Sequence, residues 1–293
     1  MWSLVILAAG SSRRFGSNKI IAPVGPSGEW LLEYTIYDAL LLGCSCVVIV
    51  TGSGLENLMV ARLGWLHNRL PVQTVIQPVA AARKRPSGTA AAVLAGAARL
   101  SGRFVVVNGD DYYGRKTLAR MVSWCEADKP SQQQAVAVYE LAATVTDHRP
   151  VWRAFCPHDT EGRVSSVHEA QVLREQEKCI QVLPEGRREV SPHQPVSMNC
   201  WALHKDVYDE ISREVAVFEQ HNLHDGELTL AQALCSLMDQ GRISLQAVPA
   251  SDEWTGLTFP DDRYRVSQLL QRWVQEGLFP SPLWKDLRPV SLT

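Results

Sequence analysis

The chain has 293 residues, 46% hydrophobic and 20% charged, with a formal net charge of -2. That length buries a substantial core, in one large α/β domain or two modest ones, and the near-neutral balance leaves no broad electrostatic footprint for DNA or RNA. The 7 cysteines form no CxxC pair and several sit in apolar runs, against a disulfide scaffold and for a reducing compartment.

Val5-Ile6-Leu7 reads as a short buried strand that Gly10-Ser11-Ser12 breaks into a loop. Leu32, Ile36, Ala39 and Leu40 recur at helical spacing, with Gly43 placed to end that helix. Val47–Val50 and Val72–Ile76 are further strands, and Pro86-Ser87-Gly88 opens an alanine-rich helix through about Leu100. Phe104–Val107 is a fourth strand, ending in Asn108-Gly109-Asp110-Asp111. Strands apolar on both faces that alternate with helices predict a doubly wound, mostly parallel α/β sheet. Ligands of such sheets sit at the carboxyl ends of strands. The loops Gly10 to Lys19 and Asn108 to Tyr113 both follow strands directly.

The second half changes character. Strand-like segments at Ala135–Tyr139, Val164–Val167 and Val196–Leu203 are separated by polar connections such as Pro184 to Pro195, which predicts a mixed-strand substrate lobe. A helix is expected from about Leu228 to Asp239, with Asp225 or Gly226 as its cap and Glu227 in its first turn. This is preferred to a metal cluster of His221, His224, Asp225 and Glu227, whose spacing matches no familiar ligand set. A strand at Ile243–Val248 follows, then a helix with Val266, Leu269, Leu270, Trp273 and Val274 in one stripe. The whole reads as one continuous domain: residues 1–130 a nucleotide-binding half, 131–255 an acceptor lobe, 256–293 a C-terminal helix and tail. No apolar run is long enough to span a bilayer, and Trp2 to Ala9 has no basic lead, so a cytoplasmic protein is expected. The short basic runs Arg83-Lys84-Arg85 and Arg187-Arg188 read as solvated loops.

The most informative stretch is Leu7-Ala8-Ala9-Gly10-Ser11-Ser12-Arg13-Arg14-Phe15-Gly16-Ser17-Asn18-Lys19. Small residues after a strand leave backbone amides free to face a polyanion. Arg14 can offer a planar fork to the β- and γ-phosphates, and Lys19 a point charge to the α-phosphate. The Walker pattern is absent, and Ser12 stands where the dinucleotide fingerprint needs its second glycine.

The AAGxSxRxGxxK loop of nucleotidyltransferases fits at every fixed position, and on these residues the chain resembles the NDP-sugar pyrophosphorylase superfamily of sugar-phosphate nucleotidyltransferases. The likeness continues through Pro23–Glu29, Tyr34–Ala39, Arg85–Ala90, Asn108–Gly114, Val196–Asn199 and Trp254–Thr258. It implies a Rossmann-like sheet of the nucleotide-diphospho-sugar transferase type. It also implies an NTP and a phosphorylated small-molecule acceptor as partners, and Mg2+ as cofactor; a homo-oligomer stays open.

By resemblance, Asp110 is the metal ligand, and Arg14, Lys19 and Asp110 form the catalytic set. Leu7, Ala8, Ala9, Gly10, Ser11, Ser12, Gln77, Ser87, Gly88 and Thr89 are expected around the nucleotide. Gln77 has two readings: its amide pairs with a pyrimidine edge, or it is a strand-end residue facing water. The acceptor falls to Glu169 and Asn199, with Trp254 near its pocket and Arg153 compensating for Ala170, which stands where many relatives carry a phosphate-binding lysine. The family's second metal ligand, an aspartate in the late Trp block, is Gly256 here. Glu253 or Asp262 could substitute, Asp110 and phosphates could suffice, or activity is lost. A phosphate monoester is already anionic, so alignment and charge neutralisation can replace a general base. The leading expectation is transfer of NMP from an NTP to a sugar 1-phosphate. The alternatives are a cytidylyltransferase acting on a polyol phosphate, phosphocholine or phosphonate, and a catalytically silent nucleotide-sugar sensor.

Overall fold

The computed structural model describes residues 1–10, 18–80, 83–145, 149–222 and 226–287. Strands β1 (Ser3–Ala8), β2 (Val47–Thr51), β3 (Val72–Ile76) and β4 (Arg103–Asn108) form a parallel ladder in the order β4-β1-β2-β3. Helices α1 (Leu31–Leu41), α2 (Glu56–Leu63), α3 (Thr89–Ala97) and α4 (Arg115–Glu126) connect and cover it. The apolar run of β1 is buried on both faces: Leu4, Ile6 and Ala8 join the core containing α1 and α4 residues, while Val5 and Leu7 join that of α3. Gly96 lets α3 lie close, because a Cβ there would stand 2.7 Å from Val5 Cγ1 and 2.8 Å from Val50 Cγ2.

A two-residue strand β5 (Asp111–Tyr112) follows β4. The rest of the sheet comprises β6 (Gln133–Glu140), β7 (Val151–Phe155), β8 (His168–Glu175), β9 (Lys178–Leu183), β10 (Gly186–Val190), β11 (Pro195–His204) and β12 (Ser244–Pro249), with the short helix α5 (Leu141–Thr144) after β6. Helices α6 (Val207–His221) and α7 (Leu230–Asp239) lie beside α3, and β13 (Thr255–Gly256) pairs with β5 ahead of α8 (Asp262–Gln275). The fold is therefore mixed α/β, its sheet parallel from β1 to β4 and largely antiparallel beyond β4. Phe279, Leu283 and Trp284 after α8 pack back on α1, where Trp284 Nε1 donates to Glu33 Oε2 at 2.7 Å and the Leu283 amide to Glu29 Oε1 at 3.0 Å. Among the described residues no helix is long and apolar enough to cross a membrane.

Three expectations are corrected. Val164–Val167 is not a strand: Ser165 closes a loop through its amide and hydroxyl on Pro157 O, at 2.9 and 3.1 Å, and the ladder begins at His168. The polar stretch Pro184 to Pro195 contains an edge strand, β10, whose Glu189 pairs with Lys178 and whose Arg187 pairs with Glu175 across the hairpin and beyond it. The cap of α7 is Thr229, in a capping box with Gln232, so Glu227 precedes the helix; Asp225 lies outside the described residues, as does His224.

Candidate active site

One edge of β11 is shared between two strands: Val196 and Ser197 pair with Phe155 and Ala154 of β7, whereas Trp201 to His204 pair with β4. Between them the register against β6 shifts, and Asn199 is turned to φ 66. The left-handed region is uncommon outside glycine, with asparagine among the enriched exceptions. Asn199 is held there from both ends, Nδ2 donating to Asn108 Oδ1 and Oδ1 accepting from Trp201 Nε1, each at 2.7 Å. The sheet thus parts beside the carboxyl end of β4, and two cavities meet at that point.

The first, of about 390 Å³, is lined by Leu7, Ala9, Gly10, Lys19, Gln77, Gly88 and Thr89, with Arg85 and Glu227 among the remaining walls. The second, of about 270 Å³, is lined by Asp111, Arg153, Glu169, Asn199, Trp254 and, unforeseen from the sequence, Trp152 and Thr229. Thr89, Asn108 and Asp110 line both. At this junction Lys19 Nζ forms an ion pair with Asp110 Oδ2, so a cation and a carboxylate brought from β1's loop and β4's end share one point. Arg14, Ser11 and Ser12 lie outside the described residues.

Asp111 is buried, and burial followed by the neighbouring Asp110 charge pushes its carboxyl up to about 7; Asn108 Nδ2, donating to Oδ2 at 2.8 Å, opposes the rise. Its other oxygen fills the space beside Gly256: a Cβ on Gly256 would meet Asp111 Oδ1 at 2.1 Å and Trp254 Cζ2 at 2.7 Å. Position 256 is bare because Asp111, its partner across the β5–β13 pair, projects into the same volume. Glu253 and Asp262 do not take over the vacated role. Glu253 pairs with Arg272, and Asp262 accepts from the Thr258 and Phe259 amides and pairs with Arg265; neither lines a cavity with Asp110. The described residues hold no cluster of three or more His, Cys, Asp or Glu able to bind a metal. A magnesium ion asks for less, since one or two carboxylates plus phosphate oxygens satisfy it, and Asp110, with Asp111 next to it, could supply them.

In the smaller cavity, Ala154 and Glu169 are cross-strand partners, and Trp152, a residue 52% exposed, lies on their face of the sheet. Burial raises the Glu169 pKa, and the Thr229 hydroxyl donates to Oε2 at 2.8 Å. Arg153 and Ala170 are the next cross-strand pair, on the opposite face. Arg153 is 9% exposed and lies over the Trp254 ring, 5.3 Å from its centroid. It donates to the hydroxyl and carbonyl of Thr144 and to Trp152 O. Burial lowers its pKa to about 10. It therefore brings positive charge next to the Ala170 position, with its fork tied to neutral oxygens.

Several expected residues have other work. Ala8 packs in the core with Ile6 and does not line the nucleotide cavity. Ser87 is buried, its hydroxyl donating to Glu219 and its carbonyl accepting from the Leu228 amide at 2.7 Å. Arg83 is no solvated loop residue: it is buried, stacks over Phe218 and donates to Asn222 O and Gly226 O. Gln77 is buried, so the reading that leaves it facing water does not hold; its Nε2 donates to Gly88 O at 2.9 Å. Asn108 was legible as part of Asn-Gly-Asp-Asp, but nothing in one sequence separates its bridging role from that of a turn residue.

The model for the MobA-like NTP transferase domain matches residues 4–213. No curated protein matches. Among solved structures, the inositol-1-phosphate CTP transferase of T. maritima superposes with a TM-score of 0.65 at 16% identity, covering 94% of this chain and 96% of that one. A glucose-1-phosphate thymidylyltransferase of Bacillus anthracis, described as putative and in complex with a sucrose, gives 0.66 at 16%, over 92% and 96%. HddC from Yersinia pseudotuberculosis gives 0.58 at 15%, over 92% and 99%. These likenesses show the shared fold. With the family model spanning residues 4–213, well over half of its length, the chain belongs to the MobA-like NTP transferases and is a nucleotidyltransferase.

Proposed function

We propose that the protein transfers NMP from an NTP to a phosphorylated small molecule, a sugar 1-phosphate first among them, and releases pyrophosphate. The observation that carries this reading is the junction: Thr89, Asn108 and Asp110 wall both cavities, and Lys19 pairs with Asp110 there. A nucleotide in the larger cavity and an acceptor in the smaller one would meet at that point. Lys19 supplies a cation to the α-phosphate, and Asp110, with Asp111 beside it, would hold Mg2+. When bound, magnesium supplies neutralisation of phosphate charge. The acceptor phosphate is already anionic, so the protein's task is alignment of nucleophile, phosphorus and leaving group. Glu169, Trp152, Asn199, Trp254 and Arg153 surround the acceptor.

A second reading keeps the reaction and changes the acceptor to a polyol phosphate, phosphocholine or phosphonate, with CTP as donor. It is favoured by buried Ala170 and by the engagement of Arg153 with Thr144, which leave no lysine beside Glu169. The inositol-1-phosphate CTP transferase among the structural neighbours agrees with it. Pyrophosphate release, screened over four NTPs and a panel of sugar phosphates, polyol phosphates, phosphocholine and phosphonates with magnesium present, tests both. Release with a sugar 1-phosphate supports the first reading. Tight nucleotide binding with no turnover on any acceptor refutes both and returns the sensor.

A further inference from the structure

The three residues before α7 run from one cavity to the other. Glu227 lines the nucleotide cavity and Thr229 the acceptor cavity. Leu228, between them, is laced to the start of α3: its amide donates to Ser87 O at 2.7 Å and its carbonyl accepts from the Ala90 amide at 3.2 Å. The Leu230 amide donates to Thr89 Oγ1 at 2.8 Å. Gly88, at φ 109, is pressed so close that a Cβ would stand 2.4 Å from Leu228 O, while its carbonyl is held from the other side by Gln77. The Thr229 hydroxyl completes the line by donating to Glu169 Oε2 at 2.8 Å. That hydroxyl also accepts from the Gln232 amide at 3.1 Å, so its proton has one direction left and its rotamer is set by two partners.

A continuous path thus runs Gln77, Gly88, Leu228, Thr229, Glu169, with a nucleotide-lining amide at one end and an acceptor-lining carboxylate at the other. We propose that Thr229 is a positioning residue through which the two substrates bind cooperatively. Acceptor hydroxyls that engage Glu169 stabilise the Thr229 bond seen in the structure, which keeps Leu228 seated against Gly88 and holds the nucleotide cavity in its binding shape. By linkage, nucleotide tightens acceptor binding by the same factor. The inference rests on assigning the Glu169 cavity to the acceptor.

The test is calorimetric, on the full chain, with an α,β-methylene NTP analogue titrated with and without saturating glucose 1-phosphate or myo-inositol 1-phosphate. At least one probe is expected to lower the analogue's Kd by about fivefold or more, the lower end of ordinary coupling. Thr229→Ser keeps that ratio; Thr229→Val brings it to about one. Gln232→Ala, which weakens the α7 cap without touching the Glu169 bond, keeps the ratio and controls for helix stability. Should Thr229→Val not fold, Thr229→Ala replaces it in the same titration. An unchanged Kd with both probes in the wild type, or full coupling in Thr229→Val or Thr229→Ala, overturns the proposal. Failure of this kind leaves transfer standing if pyrophosphate is released in the acceptor screen; absence of release with every acceptor removes the transfer reading itself.

Discussion

Lys19 and Asp110 are separated by most of a hundred positions and end as an ion pair between two cavities, which makes them the residues whose loss should weigh most on chemistry. Lys19→Ala or Asp110→Ala is expected to reduce kcat by about a hundredfold or more, the scale of losing one electrostatic stabiliser. Steady-state pyrophosphate release from folded variants checks this, and near-normal turnover removes the residue from the mechanism. Trp152 lines the smaller cavity, proposed for the acceptor, and is about half exposed. Trp152→Ala should raise the acceptor KM by about fivefold, the scale of an aromatic contact, and leave the NTP KM in place; equal shifts in both would assign it to folding. At this scale the loop from Leu7 to Lys19 and the block ending in Asp110 were readable because their chemistry demands small residues and charges at set spacing. Ser87 was misread since a serine before a glycine looks alike whether its hydroxyl faces a ligand or, as here, Glu219. Trp152 gave no signal: a single tryptophan ahead of an arginine carries no period.

At the scale of elements, the buried parallel strands were legible through unbroken apolar runs, and α1 and α8 through their stripes. Strand β10 was not, since its residues are exposed or partly so, and charged side chains obscure alternation. The start of α7 was misplaced because Asp, Gly and Glu near residue 226 mimic a cap, whereas Thr229 and Gln232 satisfy the orphan amides reciprocally. Packing between α3 and the sheet turns on Gly96, where a side chain would meet Val5 and Val50. Gly96→Val should destabilise by about 1–3 kcal/mol, the usual cost of overpacking. Urea denaturation checks it, and an unchanged midpoint would show that the helix can move off Val5 and Val50 without cost.

The whole molecule is closed by its tail. Truncation after Gly277 removes Phe279, Leu283 and Trp284, each buried, and takes one donor from each of the Glu29 and Glu33 carboxylates. Each large side chain is worth about 1.5–3 kcal/mol, so the truncated chain should lose most of a typical domain's stability; a melting curve within a few degrees of the intact protein would contradict this. The thiols report on the same closure. Burial pushes Cys44, Cys125 and Cys156 up to about 12, and Cys179 and Cys200 are buried with them, whereas Cys46 and Cys235 are partly exposed. Native titration with a thiol reagent at pH 8 should therefore modify Cys46 and Cys235 well before the others; seven equally fast thiols would mean an open core.

The parting of the sheet at β11 has a further bearing on how such a protein changes over time. Because β7 through β10 join β11 through little more than Val196 and Ser197, insertions or exchanges in that hairpin layer can redraw the smaller cavity while the parallel strands that lead toward Lys19 and Asp110 keep their register. On the proposed function, new acceptors are thus within reach of mutation at one end of the sheet, without any change to the residues proposed to act on the triphosphate.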